Sequence, residues 1–314
     1  MGGGLGLGMV GGGGGRAGQG GLGMGSTTNV QMSQVSNTDK SENFFVMSFN
    51  VRGLNSPYKR SKILDFLRRK KVDIALLQET HLKPDDVNRF QNRNPMVAAP
   101  DGTRTKGTLI LMRRGINLTV EKTGSDNEGR MAFCCTSIQG KKVAFVSLYA
   151  PTTFEPDFLP SVTSQLLKLN DYQLYVGSDM NAVIDCNLDK SSSAVSSSQD
   201  SASKALNLFI SNLNLTDVWM VHNPSVKDYT FFSTRHKTFS RIDYILVSSS
   251  LSHLVAIEFL PRHLSDHNPV MSTFHYGGIK NRFSRWRFNA SLKKRAIYNR
   301  IKIRPRGIYK FQQR

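Results

Sequence analysis

Ser265-Asp266-His267, Glu79 and the run Gly177-Ser178-Asp179-Met180-Asn181 place acids, an imidazole and an amide in one chain. Together they are the inventory for hydrolysing a phosphodiester with a divalent metal. The metal needs a carboxylate ligand, the attacking water needs a base or an orienting group, and the departing oxygen needs an acid. Taken singly, each has a plainer reading. Ser-Asp-His-Asn-Pro is good turn chemistry, Glu79 can cap a turn, and Asn50 or Asn181 can close a loop. As a set in order along one chain they point to catalysis.

The elements that must position these groups read as strands alternating with helices. Apolar runs at 44–50, 73–78, 108–112, 142–149 and 172–176 predict strands, as do 229–232, 242–247, 255–259 and 270–274. Helical spacing predicts helices over 58–71, 158–169 and 204–213, and the Ser-rich stretch 191–203 reads as a loop. Asn50, Glu79, Tyr149, Asp179, Asn181, Asp243 and Asp266-His267 each stand at or near the end of an apolar run. Strand ends on a rigid scaffold are where loops carry function, and a carboxylate there needs a reason because an unpaired buried one is costly. Many strands with few helices indicate an α+β chain, two sheets with helices outside, and no repeat is visible.

Composition divides the 314 residues into a head, a middle and a tail. Residues 1–42 begin with a Gly-rich stretch, interspersed with Leu and Met, that cannot offset its ordering entropy, and they are expected to be disordered. Residues 43–276 are long enough for one sizeable core. Residues 277–314 form a basic tail, also expected to be disordered; from Lys280 onward it has thirteen Lys/Arg and no acid, and so supplies most of the net charge of +19. That balance suits a polyanion such as DNA, and Trp286, Phe288, Tyr298, Tyr309 and Phe311 among the cations could stack on bases. A solvated basic end is the equal alternative. The three Cys (Cys134, Cys135 and Cys186) have no metal-type spacing, so a disulfide framework is not expected and a reducing compartment fits. No apolar run is long enough to span a membrane, no signal peptide is recognisable, and Gly6 breaks the myristoylation pattern. His81 and His263 read as loop or surface residues, and Arg68-Arg69-Lys70-Lys71 as cations closing a helix.

Seven pieces carry a resemblance, in order: Phe49-Asn50-Val51-Arg52-Gly53-Leu54-Asn55, Gln78-Glu79-Thr80-His81-Leu82, Leu148-Tyr149-Ala150-Pro151, Gly177 to Asn181, Tyr229-Thr230-Phe231-Phe232-Ser233, Ser240-Arg241-Ile242-Asp243-Tyr244 and Leu264-Ser265-Asp266-His267. With them the middle resembles the endonuclease/exonuclease/phosphatase superfamily, which includes exonuclease III and the apurinic/apyrimidinic endonucleases. It resembles more closely the endonuclease domain of LINE-type non-LTR retrotransposons. The resemblance implies a four-layer α/β sandwich of two mostly antiparallel sheets packed face to face with helices outside. It implies Glu79 as the principal Mg²⁺ (or Mn²⁺) ligand, with Asn50, Asp179, Asn181, Asp266 and His267 in the metal shell. Tyr149 and Asn181 would hold the scissile phosphate, Asp179 would be the acid/base, and His267, held by Asp243, would touch the phosphate or orient the nucleophile. Thr230 and Ser265 match positions that assist the phosphate contacts and the His loop. The products would be a 3′ hydroxyl and a 5′ phosphate.

The chain departs from the family's pattern in three places. Ser178-Asp179-Met180-Asn181 stands where Gly-Asp-Phe-Asn is usual, and Ser178 could strain a tight backbone. Ser240-Arg241-Ile242-Asp243 lacks the Trp of repair-type abasic endonucleases, which favours the LINE-type reading. Trp286-Arg287-Phe288-Asn289 resembles the linker that follows the domain in LINE polyproteins, but no polymerase follows it here. The expected function is therefore a metal-dependent DNA endonuclease, with a hairpin near Thr234 to Phe239 reading the minor groove and DNA shape. The alternatives are an exonuclease III-like or abasic-site repair enzyme, and a non-catalytic nucleic-acid-binding remnant. A lipid or inositol phosphatase is disfavoured because no matching substrate motif is visible. DNA is the expected partner, no protein partner is deducible, and a nuclear location follows from the substrate alone.

Overall fold

A computed structural model describes residues 43–83, 86, 96–99, 105–192 and 196–276. The Gly-rich head, the basic tail and the tail aromatics lie outside the described residues. The described chain runs β1 Asn43–Asn50, α1 Pro57–Arg69, β2 Ile74–Gln78, β3 Met96–Ala99, β4 Thr108–Met112, β5 Thr119–Ser125, β6 Met131–Ile138 and β7 Lys141–Tyr149. It continues with α2 Phe158–Leu166, β8 Gln173–Asp179, α3 Ser197–Asn212, β9 Leu215–Asp217, α4 Val218–His222, β10 Phe231–Ser233, β11 Thr238–Ser240, β12 Asp243–Ser248, β13 Val255–Phe259 and β14 Val270–His275.

Two six-stranded sheets have orders β13-β14-β1-β2-β4-β3 and β5-β6-β7-β8-β12-β9, and β10-β11 is a separate hairpin. Each sheet has one parallel pair at its centre, β1 with β2 and β7 with β8, and every other pairing is antiparallel. The central strands are buried on both faces, so they read as continuous apolar runs rather than alternating ones. Their alternation appears in which core each residue joins. Val46, Ile74, Leu76, Phe145, Tyr175 and Ile245 pack between the sheets. Met47, Phe49, Ala75 and Leu77 face outward onto Ile63, Phe66 and Leu67 of α1. Leu148, Val176 and Leu246 face outward onto Val162 and Leu166 of α2 and Leu206 and Phe209 of α3. Helix, sheet, sheet and helices make the four-layer α+β sandwich expected from the sequence.

Helix α1 starts at Ser56, whose side chain accepts from the Lys59 N–H, with Pro57 in the first turn and Arg68 and Arg69 in the last. Helix α3 corrects the reading of 191–203 as loop. It starts at Ser197, because Ser196 and Gln199 form a capping box in which each side chain takes the other's backbone N–H. The edge strand β5 was not legible, since its side chains are polar and almost all exposed. The short strands β3, β9 and β11, of three or four residues, are too brief to show a strand pattern on their own.

Candidate active site

The parallel pairs decide where the polar residues meet. β1, β2, β7 and β8 end at the same end of the sandwich, while β12 begins there, with Asp243 opposite Asp179 and Tyr149 opposite Asp179 in register. Strand side chains alternate, so residues two apart share a face. Asn50 continues the inter-sheet face of Val46, Tyr149 that of Phe145, Asp179 that of Tyr175, and Asp243 that of Ile245. Four sequence-predicted residues therefore converge on the open rim of one layer. His267 joins them from the loop before β14, bridged to Phe231 of the hairpin, whose ring lies 4.7 Å from its own.

Asn50, Asp179, Asp243 and His267 are all buried. His267 Nδ1 faces the Asp243 carboxylate at 2.8 and 3.0 Å, which fixes the imidazole. Its Nε2 is 3.5 Å from Asn50 Nδ2 and 3.9 Å from Asp179 Oδ2. Asn50 Nδ2 donates to Asp179 Oδ2 at 2.8 Å, and the Asn181 N–H donates to Asp179 Oδ1 at 3.0 Å. The Asn181 amide donates to the Ala150 carbonyl at 3.0 Å, tying the loop after β8 to the loop after β7. Thr230 and Ser265 make backbone contacts around the site. The Thr230 hydroxyl accepts from the Ile242 and Asp243 N–H groups at 3.1 and 3.2 Å, and the Ser265 hydroxyl accepts from the His267 N–H at 3.3 Å. Both act on the backbone that holds Asp243 and His267.

Of nine non-glycine residues with positive φ among the described residues, five stand in the loops of this rim: Arg52, Glu79, His81, Asn181 and Leu264. Such backbone is held in place by its surroundings and clusters at functional sites. Ser178, where a tight backbone was expected, has strand backbone in β8, and its buried Oγ has no partner among the described residues.

Burial pushes the Asp179 carboxyl up to about 7, with the Asp243 charge adding to the rise and the His267 charge and Asn50 amide opposing it. Burial pushes the His267 imidazole down, but the Asp243 and Asp179 carboxylates together overcome it and raise the ring to about 10. Both groups favour a proton, so the pair retains one through neutral pH. Tyr149 is held well above its ordinary range by burial, then by the charge and hydrogen bond of Glu79, so it stays a hydroxyl donor. The buried Arg130 guanidinium lies 5.2 Å over the Tyr149 ring and 6.0 Å from that of Phe158, and its Nε has no partner among the described residues.

Glu79 sits half-buried with His81 Nε2 at 3.8 Å and the Tyr149 hydroxyl on its carboxylate. Asp266 pairs with Arg52 at 2.9 Å, and Arg52 also donates its N–H to Asn50 Oδ1 at 3.0 Å. The Lys59 ammonium feels both Glu79 and Asp266; burial first and Arg52 second lower its pKa, while the two acids oppose them. Glu79, Asp266 and Asn50 offer the oxygen donors that a hard divalent cation prefers, and Glu79, with a neutral hydroxyl and a histidine for neighbours, fits that role. The six expected metal ligands do not form one cluster here. Among the described residues, the acids and histidines that converge within 4.8 Å are Asp179, Asp243 and His267. That trio is buried, with His267 hydrogen-bonded to Asp243 and facing Asp179 at 3.9 Å, an arrangement that suits proton transfer.

The chain belongs to the Endonuclease/Exonuclease/phosphatase family, whose model matches residues 47–267. It is 28% identical over 258 residues to the transposon TX1 uncharacterized 149 kDa protein of Xenopus laevis, a match covering 79% of this chain and 19% of that protein. The chain thus spans about a fifth of that relative's length. Among solved structures it resembles the AP endonuclease LMAP of Leishmania major, with a TM-score of 0.64 and 20% identity over 74% of this chain and 87% of that one. The catalytic domain of Xenopus laevis APE2 gives a TM-score of 0.59 and 16% identity over 73% and 91%. An AP endonuclease from Archaeoglobus fulgidus gives 0.58 and 19% over 74% and 99%. These likenesses concern the fold.

Sequence reasoning assigned no role to Gln78, Arg130, Lys59 or Phe231. A signal for Gln78 was present: it is two residues beyond Leu76 and so on the same face, one residue before Glu79.

Proposed function

We propose that residues 43–276 are a metal-dependent DNA endonuclease domain of the LINE-retrotransposon type, flanked by the Gly-rich head and basic tail. It would nick duplex DNA to leave a 3′ hydroxyl and a 5′ phosphate. The observation that carries this reading is the convergence of Asn50, Tyr149, Asp179, Asp243 and His267 on one rim, with His267 Nε2 facing Asp179 Oδ2 at 3.9 Å.

In this reading the scissile phosphate lies against the rim, where Tyr149 and Asn181 donate hydrogen bonds to it. His267, fixed by Asp243, presents Nε2 to a non-bridging oxygen as an imidazolium, where negative charge grows as the attacking water adds in line. Asp179 is poised near neutral pH, the range in which one carboxyl can both take and give a proton. It exchanges that proton with the attacking water or the leaving 3′ oxygen. A divalent cation held by Glu79, with Asn50 and Asp266 beside it, would neutralise charge on the phosphate and the leaving oxygen. The β10-β11 hairpin, with Phe239 exposed at its edge, is the element available to the minor groove. The +19 net charge suits a DNA substrate.

The test is relaxation of supercoiled plasmid by the full chain in Mg²⁺ or EDTA, beside Asp179→Ala. The expected result is nicked circles with a 3′ hydroxyl, lost in EDTA and in the variant. Cleavage of only abasic or 3′-recessed duplexes would support a repair enzyme instead. Binding without cleavage of any of these would support the non-catalytic remnant.

A further inference from the structure

Below the rim, the inter-sheet layer holds a tier of polar side chains that the chemistry does not use. Gln78 of β2 is fully buried between the sheets. Its Nε2 lies 3.3 Å from Ser48 Oγ on β1 and 3.0 Å from the Leu76 carbonyl on its own strand. It also lies 3.2 Å from Ser147 Oγ on β7 and 3.2 Å from the Gly177 carbonyl on β8, both in the opposite sheet. Ser147 returns the contact, donating its hydroxyl to the Leu77 carbonyl at 2.9 Å. The sheets are pressed together here. A Cβ on Gly177 would stand 2.6 Å from Leu76 Cδ1 and 2.9 Å from Ser48 Cβ, so only glycine fits.

Each member of this tier lies one or two residues before a rim residue: Ser48 before Asn50, Gln78 before Glu79, Ser147 before Tyr149 and Gly177 before Asp179. Glu79 and Asn50 belong to one sheet's end, Tyr149 and Asp179 to the other's. The site is assembled across the gap between sheets, and its geometry depends on how those two ends are registered. Apolar packing alone is non-directional and would let them slide. The tier also retains a buried Gln78 Oε1 with no partner among the described residues, a destabilising feature that apolar packing would not need.

We infer that Gln78 is a positioning residue. It pins the two sheets, through Ser147 and Gly177, at the spacing that lets Glu79 and Asn50 act on the same phosphate as Tyr149 and Asp179. This rests on the endonuclease reading above. The pin supplies directional hydrogen bonds where directional precision is needed, one step beneath the reacting groups. Its immediate consequence is the cross-sheet bond from Asn50 to Asp179, which requires the two strand ends to stay in register.

The test uses Gln78→Met, which keeps length and removes the amide, and Ser147→Ala, the gentler change in the opposite sheet. Two readouts are taken on the full chain at a temperature well below each variant's melting point. The first is nicking kinetics. The expected result is a fall in kcat of about 100-fold for Gln78→Met, the scale of a ~1 Å misplacement, with KM within about threefold of wild type. Ser147→Ala shifts kcat in the same direction, and the double variant is less impaired than the product of the two. The second is hydrogen exchange of the Asn50 side-chain amide by NMR, expected to quicken about tenfold or more in both variants as local opening becomes easier. Unchanged Asn50 exchange in both variants overturns the pin. So does a loss of activity that merely follows a fall in melting temperature, or that appears in KM alone. If the wild-type chain cleaves no DNA, the endonuclease reading fails, and Asn50 exchange still decides whether the pin exists.

Discussion

Asp179→Asn should make the protein more stable and nearly inactive, and the size of the gain follows from the carboxyl's burial. Raising an Asp from 3.8 to about 7 penalises its ionised form by about 4 kcal/mol. The sign follows from which state keeps the proton. Between those two values the folded protein retains a proton that the unfolded chain has released, so wild-type stability falls as pH rises from about 4 to about 7 and stays low above. Asparagine has nothing to ionise and escapes that loss. Its NH2, however, takes the place of one of the two carboxylate oxygens that accept separately from the Asn50 amide and the Asn181 N–H, and the lost bond costs about 1 kcal/mol. The net gain at pH 8 is about 2–3 kcal/mol, or roughly 5–10 °C in melting temperature for a domain of this size. At pH 4 the gain should vanish. Nicking should fall about 10²–10⁴-fold as the acid/base is lost. Thermal melts of both proteins at pH 4, 6 and 8, beside plasmid-nicking rates, measure all of this. A variant that melts no higher at pH 8, or by a pH-independent increment, refutes the buried-carboxyl argument. Retained activity refutes the role.

Four further outcomes are expected. Glu79→Gln should raise the Mg²⁺ concentration needed for half-maximal nicking and lower the rate about 100-fold, checked by metal titration; an unchanged titration removes Glu79 from the metal site. Asp243→Asn removes the largest attraction holding His267 at about 10, so the alkaline limb of the pH–rate profile should move to lower pH. The stability that the raised imidazole contributes below 6.5, and loses as pH rises through 10, should also shrink at pH 7 in urea melts. Thr230→Val leaves the buried Ile242 and Asp243 N–H groups without their hydroxyl acceptor and should cost about 1–3 kcal/mol in urea melts. Arg130→Met removes a buried cation with no carboxylate partner among the described residues; KM for DNA should rise about tenfold with kcat kept, as for a lost charge-assisted phosphate contact.

What the sequence made legible is what local pattern can encode. The apolar runs located most strands of both sheets, because a strand buried on two faces must be apolar throughout. The acids and amides at the ends of those runs located Asn50, Tyr149, Asp179 and Asp243, because a polar residue on an apolar strand is the departure that stands out. Polar edge strand β5 offered no such contrast, and its pairing with β6 comes from position in the sheet rather than from its own side chains. The start of α3 was encoded, in the Ser196 and Gln199 capping box, but Ser-rich composition obscured it.

The division of labour within the site needed three dimensions for a different reason. Thr230 and Ser265 are placed by spacing near the chemistry, yet their hydroxyls are taken up by backbone N–H groups two to thirteen positions away in sequence. Whether a hydroxyl faces substrate or its own scaffold depends on which donor the fold brings closest, and no local pattern records that. Gln78 makes the same point from the opposite direction. Its sequence position, at the end of an apolar strand and beside Glu79, is as conspicuous as that of any rim residue. Only the cross-sheet contacts to Ser147 and Gly177 separate a residue that holds the sheets from one that holds the phosphate. The inter-sheet layer therefore changes character along a single face, from Val46, Ile74 and Tyr175, through Ser48, Gln78 and Gly177, to Asn50, Tyr149 and Asp179. Burial supplies stability at the bottom, directional bonds fix register in the middle, and reactive groups stand where the layer opens. That order is the one in which a precise site can be built on non-directional packing.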